Sequence, residues 1–163
     1  MSNQVPRDAL DRCIEAARLA PSACNSQPWS FIIVDEEKLK NKLEDEAFSG
    51  IYSVNSFAKS APVLVVVVTE RSKYIARLGG YIKGVQYSLI DIGIACEHLM
   101  LQAAEEGLGT CWIGWFNEKG VKDTLGISEE NKINVIISIG YPKTDEIRDK
   151  IRKPIHEIRR FNK

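Results

Sequence analysis

The stretch Val63-Leu-Val-Val-Val-Val68 is apolar at every position. A strand with one wet face alternates apolar and polar residues, so an unbroken β-branched run reads as a strand buried on both faces, at the centre of a sheet with cover on each side. The chain has 163 residues, 44% of them hydrophobic and 27% charged. That composition suits one compact domain, which at this length buries roughly 70% of its unfolded surface. Lys plus Arg equals Asp plus Glu at 22 each, and the pI is about 6.7. No global field draws in polyanions, and a nucleic acid partner is not expected. The apolar run from Pro62 to Val68 is far shorter than the ~20 residues of a membrane-spanning helix. The polar start Met1-Ser-Asn-Gln4 has no signal-peptide pattern. The expectation is a soluble cytoplasmic protein with no membrane contact.

Other elements follow from periodicity. Pro6 suits the first turn of a helix in which Leu10, Cys13, Ile14 and Ala17 recur on one face, and Pro21 ends it near Ala20. Trp29 to Val34 reads as a strand, and Glu36 to Glu46 as a charged surface helix. Residues 47 to 60 have no sustained period and read as a short helical turn or an ordered loop. The longest helical pattern runs from Val85 to Glu106. Leu89, Ile92, Ala95, Cys96, Leu99, Met100 and Ala103 form its apolar face, widened by Ile94, Leu101 and Ala104. So broad a face demands cover from the chain's own sheet and from a second subunit. Gly107 and Gly109 close that helix, Thr110 to Phe116 is extended, Glu118 to Leu125 is a short helix, and Ile133 to Ile139 is a last buried strand. Residues 1–142 form the domain. Residues 143–163 form a basic arm with eight Lys/Arg against four Asp/Glu, a local +4 offset by −4 in the rest. The arm can pack on its own or a partner subunit, grip a phosphate, or do both.

Several chemistries lack their ingredients. Cys13, Cys24, Cys96 and Cys111 are scattered, with no C-x-x-C pair, and His98 and His156 stand far apart. A disulfide framework, a metal site and a histidine-assisted nucleophile are therefore not expected. Gly107-Leu-Gly109 with Gly114 misses the G-x-G-x-x-G spacing and lies between a helix and a strand, the reverse of a Rossmann turn; a phosphate loop ending in G-K-[ST] is absent too. Trp112, Trp115, Phe116, Tyr81 and Tyr87 could wall a pocket, although aromatics beside a glycine-rich turn are more often core. Glu97 and His98 read as surface or packing residues. Cys24 has no neighbouring base to make it a nucleophile.

Ala20-Pro-Ser-Ala-Cys-Asn-Ser-Gln-Pro-Trp29 carries more information. Two prolines bracket six small or polar residues, so the chain leaves a helix through a stiff loop rich in hydrogen-bonding groups. Such a loop can be a platform for a flat polar ligand. It can equally be a helix-to-strand turn whose Asn25 and Gln27 satisfy local backbone.

Those ten residues match the A-P-S-x-x-N-x-Q-P-W signature of the flavin-dependent nitroreductase family, and the chain resembles that family in three further blocks. They are Asp91-Ile-Gly-Ile-Ala-Cys-Glu-His-Leu99, Gly107-Leu-Gly-Thr-Cys-Trp-Ile-Gly114 and Ile139-Gly-Tyr-Pro142. The resemblance implies an α+β fold with a mixed, mainly antiparallel sheet flanked by helices, in an intertwined homodimer that binds FMN between subunits. Pro21, Ser22, Ala23 and Asn25 would then contact the flavin ring from one protomer. Gly114 and Trp115 would offer backbone N–H groups from the other, and Asn55 would bond the ring edge. Lys150-Ile-Arg152-Lys-Pro154 is similar to the family's phosphate-gripping K-x-R-x-P segment, in which Arg152 can fork onto two oxygens and Lys150 acts as a point charge. The implied activity moves hydride from NADH or NADPH through the flavin to a nitroaromatic, quinone or similar small acceptor. The flavin carries the chemistry, and no side chain is assigned as catalytic. Family members carry an R-x-S-x-R segment ahead of the first helix, and this chain opens at the residues that normally follow it. That leaves three expectations open: the arm suffices, alone or helped by Arg7, Arg18, Arg71 or Lys73; FMN binds weakly; or the protein is a flavin-binding or flavin-free dimer without reductase turnover. A dehalogenating or dehydrogenating relative is a further reading.

Overall fold

A computed structural model of the chain describes residues 4–70, 74–144 and 149–162. Its frame is a four-stranded antiparallel sheet of β1 (Trp29–Val34), β2 (Val63–Thr69), β3 (Gly109–Ile113) and β4 (Lys132–Gly140), in the order β1-β2-β4-β3. The valine run is β2, which pairs with β1 on one side and β4 on the other, Val66 lying opposite both Ile32 and Ile136. All its residues from Val63 to Val68 are buried. A mixed sheet is not what forms: every pairing among the described residues is antiparallel.

Two helical layers explain the absence of alternation in β2. Val63, Val65 and Val67 pack with Leu10, Cys13 and Ala17 of α1 (Arg7–Arg18) and with Ile92, Ala95 and Leu99 of α4 (Tyr87–Glu105). Leu64, Val66 and Val68 face the other way, onto Leu43 and Ala47 of α2 (Glu37–Ala47), Ala58 of the 3₁₀ segment Gly50–Ser60 and Val121 of α5 (Glu118–Leu125). Each such burial contributes about 1.5–3 kcal/mol. A β-bulge disturbs the register in β4. Val67 lies opposite Val135 but Val68 opposite Ile133, so Asn134 is the extra residue and its amide donates to Thr69 Oγ1 at 2.7 Å.

Local chemistry sets the helix ends. Pro6 is the N-cap of α1. The Glu36 carboxylate accepts from the N–H groups of Lys38 and Leu39 at 3.1 and 2.8 Å, opening α2. Asn117 caps α5 through the Gly120 N–H, and Gly126 ends that helix in the left-handed region at φ +67°, where glycine is favoured. The charged helix α2 is not wholly a surface element. Lys40 and Glu44 form a buried pair at 2.8 Å, in which burial outweighs the lysine and pushes the Glu44 carboxyl up.

Two regions depart from the periodicity. Helix α3 (Tyr74–Lys83) occupies a stretch with no expected element. Its Gly79-Gly80 pair breaks the apolar pattern, yet a Cβ on Gly80 would lie 2.4 Å from the Val85 carbonyl oxygen, so glycine lets the chain fold back tightly there. In α4 the buried face is Ile92, Ala95, Cys96, Leu99 and Ala103; Leu89, expected on it, is exposed along with Ile90 and Leu101. No helix among the described residues is long and apolar enough to cross a membrane.

Helices α1 and α4 are also clamped at the surface. Arg12 donates to both oxygens of Glu106 at 2.7 Å and to Asp8 at 3.0 Å. The guanidinium holds the Glu106 carboxyl down from its ordinary 4.5 to about 2, helped by the Gln102 amide. A depressed carboxyl stabilises the fold above its unfolded pKa and loses that contribution as pH falls toward its folded one. Arg12→Ala is expected to destabilise the protein at neutral pH, progressively less below about pH 4.5, and hardly at all near pH 2. Urea midpoints across that range measure it; a deficit that stays constant would assign the role of Arg12 to packing alone.

Candidate functional site

The Ala20–Trp29 loop leaves α1 with Ser22 extended, turns through a 3₁₀ segment at Ala23–Asn25, and enters β1. Three of its non-glycine residues are left-handed: Cys24 at φ 52°, Asn25 at 49° and Gln27 at 47°. Each costs on the order of 1–3 kcal/mol, so the surroundings must over-determine them. The loop does this with a dense set of short bonds. Asn25 N–H donates to the Ser22 carbonyl and Ser26 N–H to the Ala23 carbonyl, both at 3.0 Å. Gln27 N–H donates to Ser22 Oγ at 2.9 Å, and the Gln27 amide to Asn25 Oδ1 at 2.9 Å. The Asn25 and Gln27 side chains thus bond each other and not the local backbone, and it is Ser22 Oγ that accepts the Gln27 N–H. Pro21 and Asn25 nevertheless stand exposed, and Ser22 and Ala23 are half-buried, so the loop still presents a polar surface.

One bond of the loop leaves it altogether. The Ala23 N–H donates to Asp91 Oδ1 of α4 at 3.0 Å. Sequence reasoning gave Asp91 no role. The available signal was a carboxylate placed one turn before Ala95 on the apolar face of the long helix.

A second group forms where β3 ends. Asn55, in the 3₁₀ segment Gly50–Ser60, donates through Nδ2 to the Trp115 carbonyl at 2.7 Å. Trp115 Nε1 donates to the Ile51 carbonyl at 3.4 Å, and its ring meets that of Tyr52 at 5.1 Å between centroids. The segment therefore clasps Trp115 from three directions. Asn55, expected at the flavin edge, is instead bonded to Trp115, and its amide is occupied in holding that residue. The backbone N–H of Trp115 donates to no described residue. Gly114 is open as well, since a Cβ there would meet only Trp112 Nε1, at 4.0 Å.

The third group is the arm. Lys150 and Arg152 are exposed, and neither forms an ion pair with a described residue; Arg152 Nη1 bonds the Ile151 carbonyl at 2.9 Å. Ile151, Ile155, Ile158 and Phe161 all expose more than half of their surface. Residues 145–148 and 163 of the arm lie outside the described residues. Arg7 and Arg18, considered as extra phosphate ligands, are engaged elsewhere: Arg7 forks onto Asp35 at 2.9 and 3.1 Å, and Arg18 onto Glu15 at 2.6 and 2.7 Å. Arg71 and Lys73 lie outside the described residues.

Among the remaining candidates, Phe116 is core and Tyr87 half-buried, whereas Tyr81, Trp112 and Trp115 are exposed. Glu97 is at the surface, and His98 packs against α1 with Nδ1 3.3 Å from the Ala16 carbonyl oxygen. Burial pushes the Cys96 thiol up to about 12, which makes it inert.

Comparison with known proteins adds to this geometry. The Nitroreductase family model matches residues 1–54 and 52–141. A protein of Archaeoglobus fulgidus, named for an inferred NADH dehydrogenase/NAD(P)H nitroreductase activity, is 31% identical over 147 residues, spanning 88% of this chain and 78% of the relative. A solved nitroreductase family protein of Clostridium novyi NT is 34% identical with a TM-score of 0.76, covering 90% of this chain and 81% of that one. An FMN-dependent nitroreductase of Clostridium difficile R20291 is 26% identical with a TM-score of 0.74, covering 100% and 91%.

The Trp115 clasp generates a direct test. Asn55→Ala is expected to cost about 1 kcal/mol, the net value of one hydrogen bond. The tryptophan emission should shift to the red as Trp115 loosens. Urea midpoints and fluorescence read both, and an unmoved emission would leave the Ile51 bond and the ring contact with Tyr52 as sufficient restraints.

Proposed function

Because the chain belongs to the nitroreductase family, we propose that it is an FMN-dependent oxidoreductase that passes hydride from NADH or NADPH to a nitroaromatic, quinone or similar small acceptor. It works as a homodimer with its sites between subunits. The observation that carries this reading is the loop from Pro21 to Gln27, whose own bonds hold three strained residues so that polar groups remain at the surface beside α4. The residues present suit the cofactor chemically. A planar ring with polar edges needs a fixed donor, and the Trp115 N–H, which donates to no described residue, lies beside an open Gly114. An anionic end needs accessible cations, and Lys150 and Arg152 are exposed with no carboxylate partner among the described residues.

When bound, FMN supplies the centre that accepts and releases hydride. The chain's task is to bind and orient. Pro21, Ser22, Ala23 and Asn25 form one wall of the ring site, and Gly114 and Trp115 of the second subunit supply main-chain donors at its edge. A backbone N–H suits that place because it polarises without proton chemistry of its own. Asn55 acts by fixing Trp115. Residues 1–142 hold the ring site and the arm 143–163 reaches across the subunits. In that arrangement a second copy covers Ile151, Ile155, Ile158 and Phe161, and also Ile90 and Leu101 on α4, all of which stand uncovered in one chain. No side chain serves as acid or base in this scheme, so the contribution of the protein is placement and electrostatics.

Protein supplemented with FMN and then desalted should retain flavin absorbance, and the colour should bleach on anaerobic addition of NADH or NADPH. A colourless protein after desalting would sink the enzyme reading. Replacing Lys150 and Arg152 together with alanine should weaken FMN on the order of tenfold or more, because each charge-assisted bond to a phosphate is worth about 1.5–3 kcal/mol. Riboflavin, which lacks the phosphate, should bind as before. Equal weakening of both ligands would remove the phosphate role from the arm.

A further inference from the structure

Asp91 lies one turn into α4, on the face that buries Ala95 and Leu99, and is only 3% exposed. Its Oδ1 accepts the Ala23 N–H at 3.0 Å. Its Oδ2 is buried and has no partner, the only such side-chain atom among the described residues. A carboxylate set into an apolar helix face with half its acceptor capacity idle is a poor way to stabilise a fold, since an alanine there would bury no charge. What it does accomplish is specific to the loop. The turn Ala23–Asn25 closes through Asn25 N–H to Ser22 and Ser26 N–H to Ala23, which leaves its first N–H, that of Ala23, with no place inside the turn. Asp91 reaches in from another element and satisfies that donor, as a capping side chain would. Ala23 sits between an extended residue, Ser22 at φ −146°, and a left-handed one, Cys24 at φ 52°. The bond therefore pins the chain where its backbone changes region.

We propose that Asp91 is the positioning residue of the flavin-ring loop: through the Ala23 N–H it holds the Ser22–Asn25 turn in the conformation that meets the ring. This rests on the reading of that loop as part of the flavin site. Asp91 acts through Ala23 and touches no cofactor, so its signature is an effect on the ring end of the ligand alone. The phosphate end belongs to the arm.

Asp91→Asn keeps an acceptor oxygen and the side-chain shape, whereas Asp91→Ala removes the acceptor. Two measurements separate the possibilities: exchange of the Ala23 amide proton in flavin-free protein by NMR, and FMN and riboflavin affinities by flavin fluorescence quenching. In Asp91→Ala the Ala23 amide should exchange at least about tenfold faster, and both ligands should weaken by a common factor of about tenfold. Asp91→Asn should restore exchange and affinities to within about threefold of the parent protein. Parental affinity in Asp91→Ala would overturn the proposal, as would loss of FMN without loss of riboflavin. So would a folded Asp91→Asn about tenfold or more weaker than the parent for both ligands, a comparison that stands even if Asp91→Ala fails to fold. If the parent protein binds no flavin at all, the functional reading fails. The amide exchange still decides whether Asp91 holds the loop: an unchanged Ala23 amide in a folded Asp91→Ala overturns it, as does a folded Asp91→Asn whose Ala23 amide exchanges at least about tenfold faster than in the parent.

Discussion

Burial of β2 on both faces is the constraint from which the remaining architecture follows. Six consecutive apolar residues cannot be shielded by one layer, because successive side chains point in opposite directions. The chain therefore commits α1 and α4 to one side, and α2, the 3₁₀ segment Gly50–Ser60 and α5 to the other. Once those layers are placed, the two candidate ligand-facing segments are placed with them. The Pro21–Gln27 loop is the exit from α1 and is tied to α4 through Asp91. Gly114 and Trp115 follow the end of β3 and are tied to the 3₁₀ segment through Asn55. Each segment thus belongs to a different helical layer.

This division bears on how a site could be completed. The loop is tied back to one helical layer and the Trp115 clasp to the opposite one. Lys150 and Arg152 of the arm are exposed and form no ion pair with a described residue. In the proposed homodimer, a site that draws on all three takes the loop from one chain and the Trp115 edge from the other. The strain in the loop fits that role: three left-handed non-glycine residues are an expense at the surface, and they are retained where a backbone must hold its shape before a ligand arrives.

Much of the frame was legible in the sequence because it depends on local pattern. β1 was readable from aromatic and β-branched residues, β2 from the lack of alternation, and α5 from its boundaries. What escaped depends on contacts between distant residues. Gly79-Gly80 reads as a helix breaker, and only the approach of the Val85 carbonyl explains why a helix tolerates it. Lys40 and Glu44 look like surface charges until each is seen as the partner that lets the other be buried. Arg7 and Arg18 were reasonable phosphate ligands by charge, but nearby carboxylates claim them. Of the site, the loop and the arm could be picked out by motif. Asp91 heads one of the family-like blocks, but its bond could not be read there, since it is made to an amide 68 residues away.

The uncovered side chains of the arm carry a kinetic consequence. Ile151, Ile155, Ile158 and Phe161 add apolar surface that the monomer's own fold leaves in water. If a second copy is what shields them, reaching the final state takes a first-order folding event followed by a bimolecular encounter. The half-time of that second stage then shortens with total protein, and a newly made chain at low abundance spends its longest interval as a tacky, half-finished intermediate open to chaperones and proteases.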